Sequence, residues 1–537
     1  MATSFKANLL HGMLSGAVAH GLRLTLNLAL IPLLIRYLGA ADYGFYLVLL
    51  NFCELMLALD AGMMTGLIHR LSHAIAQTDV QAMREQLRLG QWLYLGLAVT
   101  LALVGWAATP WLLGAFHLSG PLQAVGATCL AITIADGALN LFGCYFCAIL
   151  KAHCLHRWTN LADGLHGVAA NLLSLALLLM GFGLVEILAS RLLVSVVKNA
   201  CLAARALRAE PHAIQLRGAL SGKAFRDLFS ISAAALIQRL SAFLAHRTAG
   251  FVIGAFLSLA SVALFGVVER IFSQITQLCL MLSDGLFPAF ARMASANEAD
   301  KSRFFFSRVS VLLHFTASLP TLGVAAFYPQ IFHFLSGGTL PVAPTIALAC
   351  LLGLVSWSIV MQLPASNYLF ASGMHRFQTV SSLTTALLNA TTCLLLVKPL
   401  GLLGVALGIA VPHVLQHQLV TIPMARRRLG VSALAYARQT YGSNLTPLLG
   451  AGLIFLLGRL AVERAWMPPF WGMATFGLAG AMLGVALWLT WSASAQEREL
   501  LKTCALDPLL RRLGAYRASN AEGVGAAGEG VIANASR

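Results

Sequence analysis

Residues 156–183 read HRWTNLADGLHGVAANLLSLALLLMGFG, and about 218 positions further on residues 375–401 read HRFQTVSSLTTALLNATTCLLLVKPLG. His156-Arg157-Trp158 recurs as His375-Arg376-Phe377, and the apolar run after each carries an asparagine followed twelve residues later by a glycine. Those pairs are Asn171 with Gly183 and Asn389 with Gly401, and both glycines are expected at tight turns. Twenty-five residues past each glycine the next apolar run ends in arginine, Arg208 in one copy and Arg426 in the other. A register held over this distance marks two halves of one internal repeat. Repeated halves around a central site are the usual build of secondary transporters, because rocking one half against the other exposes the site on each side in turn.

The 537-residue chain is 58% hydrophobic and 10% charged, with a mean hydropathy of +0.79, which excludes an ordinary soluble domain and implies an all-α polytopic membrane protein. Fourteen apolar runs reach membrane-spanning length: 14–36, 45–68, 91–113, 121–150, 160–180, 184–207, 229–254, 260–290, 304–328, 342–371, 379–398, 402–424, 446–463 and 471–492. Six spans per half is an even number, so the halves are expected to be parallel repeats, related by an axis along the membrane normal. The expected organisation is an N-terminal six-helix bundle (1–208), a cytoplasmic linker (209–228), a C-terminal six-helix bundle (229–428), an extra pair of helices (429–492) and a cytoplasmic tail (493–537), disordered after about 518.

Lysines and arginines set the expected orientation. With a cytoplasmic N-terminus most of the 36 fall on the cytoplasmic side, among them Arg70, Arg84, Arg88, Lys223 and the run Arg426 to Arg428. Arg36, Lys398 and Arg464 fall on the other side. Both termini are therefore expected in the cytoplasm, with the first helix uncleaved. The net charge of +16 then reflects topology and contact with anionic lipid rather than nucleic-acid binding, since no basic run is interleaved with aromatics. The cysteines lie mostly in apolar runs and suggest no disulfide framework. The grouping of Cys144, Cys147, His153, Cys154 and His156 is read as a structural turn and not as a metal site. No Walker loop, dinucleotide fingerprint or nucleophile elbow appears, so neither ATP hydrolysis nor acyl chemistry is supported and no enzyme is expected.

Charges inside the spans carry the functional signal. Arg23 (span 1), Arg191 (span 6), Arg239 and Arg247 (span 7) and Arg270 (span 8) would each cost roughly 2.5–3.5 kcal/mol in a lipid-facing position. They are expected to face a wet interior or acidic partners. Arg270, Gln274 and Gln277 follow i, i+4, i+7 on span 8, and His20, Arg23 and Asn27 follow i, i+3, i+7 on span 1, so each trio forms a polar stripe. An arginine-lined interior suits a polyanionic ligand, because guanidinium groups hold phosphate oxygens in pairs. Among the embedded carboxylates, Glu54 and Asp60 on span 2 and Glu269 on span 8 are the candidates for coupling transport to a proton or Na⁺. Glu269 and Arg270 are neighbours on one helix, cannot meet head-on, and each requires another partner.

The run Arg36-Tyr37-Leu38-Gly39, Asp42-Tyr43-Gly44 and Asp60-Ala61-Gly62 resembles the corresponding run of bacterial lipid-linked oligosaccharide flippases of the O-antigen (Wzx-like) and exopolysaccharide type. These belong to the multidrug/oligosaccharidyl-lipid/polysaccharide exporter superfamily. The resemblance covers about residues 10 to 430 and implies a V-shaped transporter with a charged lumen lined by helices 1, 2, 7 and 8. It further implies an undecaprenyl-diphosphate oligosaccharide as substrate, flipped from the cytoplasmic to the periplasmic leaflet of the inner membrane for surface polysaccharide synthesis. Membrane lipids, a polysaccharide polymerase and chain-length proteins are the partners it implies; no nucleic acid and no cofactor beyond a coupling ion are expected. The alternatives are a cation-coupled exporter of drugs or small metabolites on the same fold, and a membrane glycosyltransferase or polymerase. The short outside loops count against the last.

Overall fold

A computed structural model describes residues 26–60, 62–118, 121–214, 222–283 and 285–493; His20, Arg23 and the tail expected to be disordered lie outside the described residues. All regular structure among the described residues is helical. The helices are α1 (Leu26–Leu38), α2 (Ala40–Ala58), α3 (Met63–Ala76), α4 (Val80–Ala115), α5 (Pro121–Ala152), α6 (His156–Leu179) and α7 (Leu184–Ala209). After the linker come α8 (Gly222–Phe256), α9 (Leu259–Ser283), α10 (Leu286–Ser295), α11 (Ala299–Leu335), α12 (Ile346–Met361), α13 (Leu363–Ala371), α14 (His375–Val414) and α15 (Ile422–Arg428). The series ends with α16 (Ala433–Ala437), α17 (Ser443–Glu463) and α18 (Pro469–Leu487). Eleven helical stretches among the described residues are long and apolar enough to cross a membrane. One of them, His375–Arg428, runs for 54 residues through the expected spans 11 and 12.

Local chemistry explains the ends. Asp79 caps α4 by accepting a hydrogen bond from the Ala82 N–H at 2.9 Å, and the Glu186 carboxylate accepts one from the Gly183 N–H at 3.0 Å at the start of α7. The two repeat glycines differ in conformation. Gly401 has φ 57° and ψ −134°, which lets α14 double back between spans 11 and 12, as expected of a turn glycine. Gly183 instead has φ −94°, and the left-handed position before α7 is Gly181, at φ 83°. Pro412 lacks the N–H that would bond the Gly408 carbonyl one turn back, and the Thr392 hydroxyl donates to that carbonyl at 2.8 Å instead.

The repeat is visible as one hydrogen bond made twice. Asn171 Nδ2 on α6 donates to Asn27 Oδ1 on α1 at 2.8 Å, and Asn389 Nδ2 on α14 donates to the Ala245 carbonyl on α8 at 2.7 Å. Both members shift by 218 residues between the copies: 171 to 389, and 27 to 245.

The chain forms two compact units, Met1–Ala433 and Leu434–Arg537. Within the first, one apolar core joins both halves at the end of the bundle where α1 meets α2. It draws on Leu34, Leu49, Val252, Phe265, Phe332 and Leu348 among others. A second core, around Leu67, Tyr94, Tyr145 and Leu202, lies inside the first half near the opposite, arginine-rich end. Small residues permit the shared closure: a β-carbon on Gly44 of α2 would overlap the Leu259 carbonyl of α9, and one on Gly266 would overlap the Leu47 side chain. The second unit packs α17 against α18 through Gly450, Gly472 and Gly480.

Candidate functional site

Three helices from both halves meet at Arg247. Its Nε lies 2.6 Å from Glu54 Oε2 on α2, and its Nη1 lies 3.3 Å from Glu269 Oε1 on α9. A second contact, Nη2 to Glu54 Oε1 at 3.3 Å, makes the Glu54 pair bidentate. The side chains are 31%, 46% and 34% exposed for Arg247, Glu54 and Glu269, so the cluster is only partly buried. Glu269 has thus found the partner its sequence neighbour could not supply. A single guanidinium faces two carboxylates, which removes most of the cost of placing it in a membrane span.

Arg270, about 100° round α9 from Glu269, makes no ion pair among the described residues. It lies beside Tyr43 of α2, and one turn on Gln274 has a buried Oε1 with no hydrogen-bond partner among the described residues. Gln277, the third member of the expected stripe, is exposed. Arg239 is also exposed, with Asp60 as its acidic neighbour. Asp60 is only 1% exposed, and neither carboxylate oxygen has a partner of normal hydrogen-bond geometry among the described residues. The hydroxyl of Tyr94 and the thiol of Cys144 are its other polar neighbours.

Arg191 belongs to a separate network inside the first half. Its guanidinium stands 5.9 Å over the Tyr46 ring, with Asp136 nearby. Asn140 Nδ2 donates to Asp136 Oδ1 at 2.9 Å and reaches Ser195 Oγ at 3.2 Å, while His166 Nε2 lies 3.0 Å from the same hydroxyl. Asn140, His166 and Asn199 were not among the expected site residues. The i, i+4 pairs Asp136/Asn140 and Ser195/Asn199 on apolar helices are the signal that could have found them. Asn27 is engaged by Asn171.

A cavity of about 470 Å³ also went unanticipated. It lies within the second half between α8, α10, α12, α13, α14 and the turn after α14, and is lined by amide, hydroxyl, imidazole and aromatic groups. Without a charged residue in its wall it sends no signal in a hydropathy reading.

A family model described as MatE matches residues 19–157. No relative among the curated proteins matches the chain. Among solved structures, the lipid II flippase MurJ in an inward closed conformation superposes with a TM-score of 0.67 at 12% identity, over 91% of this chain and 100% of that one. An inward-facing multidrug resistance MATE family transporter of the MOP superfamily gives 0.63 at 17% identity, over 77% and 98%. An outward-facing one gives 0.55 at 16% identity, over 78% and 95%. The chain shares the fold of these structures and is a multi-span membrane protein.

Proposed function

We propose that the protein is a flippase moving a polyprenyl-diphosphate-linked oligosaccharide from the cytoplasmic to the periplasmic leaflet by alternating access. The observation that carries this reading is Arg270: a cation roughly 16 Å along an apolar helix, α9, from its first residue, without an ion pair among the described residues. A guanidinium with no ion pair among the described residues is suited to an anion, and a diphosphate supplies one. With the termini in the cytoplasm, as the lysine and arginine distribution indicates, the closed end at Gly44 faces the periplasm. The molecule then receives its substrate from the cytoplasmic leaflet. Rocking the halves changes the distance between Glu54 and Arg247, and binding of a proton or Na⁺ at Glu54, Glu269 or Asp60 in one state more than the other would drive the switch.

A specific observation favours the second reading, a cation-coupled exporter of drugs or metabolites: Arg247 is outnumbered by its two carboxylates. Two host strains separate the readings. Surface polysaccharide restored in a strain lacking its own polysaccharide flippase supports the first; ethidium resistance in an efflux-deficient strain, without that restoration, supports the second.

A further inference from the structure

The cavity in the second half has a wall chemistry unlike that of the arginine sites. Helix α8 divides the two. Arg239 and Arg247 lie within about 80° of each other, and Ser241 and Ala245, which line the cavity, lie on the opposite side of the helix. The cavity wall contains no Asp, Glu, Lys or Arg among the described residues. Side-chain amides come from Gln362, Asn367, Gln378 and Gln416, and hydroxyls from Ser366 and Thr385 among others.

Two further features mark it as more than a packing void. Gln378 is 8% exposed, and its Nε2 is buried without a hydrogen-bond partner among the described residues, which is unfavourable unless a ligand accepts from it. The wall also includes a π-helical turn, Leu415–Thr421, one of three among the described residues and a form found frequently at functional sites. This turn brings Gln416, His417 and Thr421 to the cavity, and Gln416 Nε2 donates to Thr421 Oγ1 at 3.2 Å.

A phosphate would need cationic donors and an organic cation would need a carboxylate; neither lines the wall. Amides set beside hydroxyls offer donors and acceptors together, as vicinal diols require. Phe287 and Phe370, edge to face at 5.5 Å, supply an apolar surface for the C–H faces of a sugar ring. The volume falls in the range of about 300–1,000 Å³ typical of small-ligand sites.

We propose that this cavity binds the uncharged, polyhydroxylated sugar portion of the substrate, apart from the arginines that take its diphosphate. The inference rests on the flippase reading. It predicts a preference for neutral glycans, since an acidic sugar would meet no cation in the cavity.

The test uses the full chain in proteoliposomes with four probes: a polyprenyl diphosphate bearing a neutral trisaccharide, the same lipid with a terminal uronic acid, the bare polyprenyl diphosphate, and free trisaccharide. Gln378→Leu and Thr385→Val are compared with wild type. Replacing Gln378 removes an unpartnered donor, so folding is not expected to suffer. The expected result is a ten-fold or greater loss of neutral-glycan movement in both variants, bare lipid moved within two-fold of wild type, and the uronic-acid lipid moved poorly throughout. Equal movement of the neutral-glycan lipid by wild type and variants overturns the cavity assignment and leaves the flippase reading intact. Variant-sensitive movement of free trisaccharide alone supports the cavity assignment and overturns the flippase reading. Movement of no probe by wild type overturns both.

Discussion

Arg247 Nε stands 2.6 Å from Glu54 Oε2, so one guanidinium ties a helix of the first half to a helix of the second. Glu269 holds the same arginine from a third helix at 3.3 Å. Under the proposed rocking of the halves, such a bond holds one arrangement and must rearrange in the other.

Removing the arginine leaves two carboxylates facing each other. Arg247→Ala is expected to lower stability by about 1–3 kcal/mol, below the cost of breaking a fully buried pair because these side chains are partly exposed. Glu54→Gln should cost less, since Glu269 still neutralises the charge. A double-mutant cycle on unfolding in detergent should give a coupling of about 0.5–3 kcal/mol; zero coupling would mean the pair contributes no stability.

Closure at the Arg36 end depends on Gly44. A β-carbon there overlaps a backbone carbonyl, that of Leu259, which cannot swing aside as a side chain can. Gly44→Ala should part α2 from α9 and speed maleimide labelling of Leu47→Cys, a buried position, five-fold or more. Unchanged labelling would show that the helices do not separate there.

The twin asparagines should behave alike. Asn171→Leu and Asn389→Leu each remove an interhelical hydrogen bond, at a cost of about 0.5–1.5 kcal/mol, read as a fall in melting temperature. A loss confined to one would show that the repeat's shared register is not matched by shared energetics.

Asp60 is buried without a well-formed hydrogen bond among the described residues, which is an unfavourable place for a carboxylate. Asp60→Asn should therefore leave the melting temperature unchanged or raise it, while altering the dependence of transport on pH or Na⁺. A marked drop in melting temperature with unaltered ion dependence would make Asp60 a structural partner of Arg239.

Much of the architecture was legible because membrane burial writes itself into hydropathy. Within the described residues the fourteen apolar runs fall mostly on helix, although 45–68 breaks between α2 and α3 and 260–290 between α9 and α10, and the 218-residue register returns as the bonds from Asn171 and Asn389. Helical period also revealed that Glu269 and Arg270 could not satisfy each other. It could not reveal that Glu269 meets Arg247, because a period assigns a face and not the helix opposite it; Glu54 lies 193 residues from Arg247. The neutral cavity was invisible for another reason. Its glutamines, serines and threonines are spread over several helices, four of them on α14, and their meaning arises only when six segments converge. Gly183 shows the limit of the repeat itself: the turn that Gly401 makes passes in the first half to Gly181, two residues earlier.

The most direct measurement is surface polysaccharide in a host lacking its own flippase, with wild type, Arg270→Lys and Arg270→Ala at matched membrane abundance. The account predicts restoration by wild type, partial restoration by the lysine variant, which keeps the charge but not the paired donors, and a ten-fold or greater loss with alanine. Full restoration by Arg270→Ala would contradict it, because a guanidinium of the candidate site with no ion pair among the described residues would then have no part in carrying an anionic headgroup.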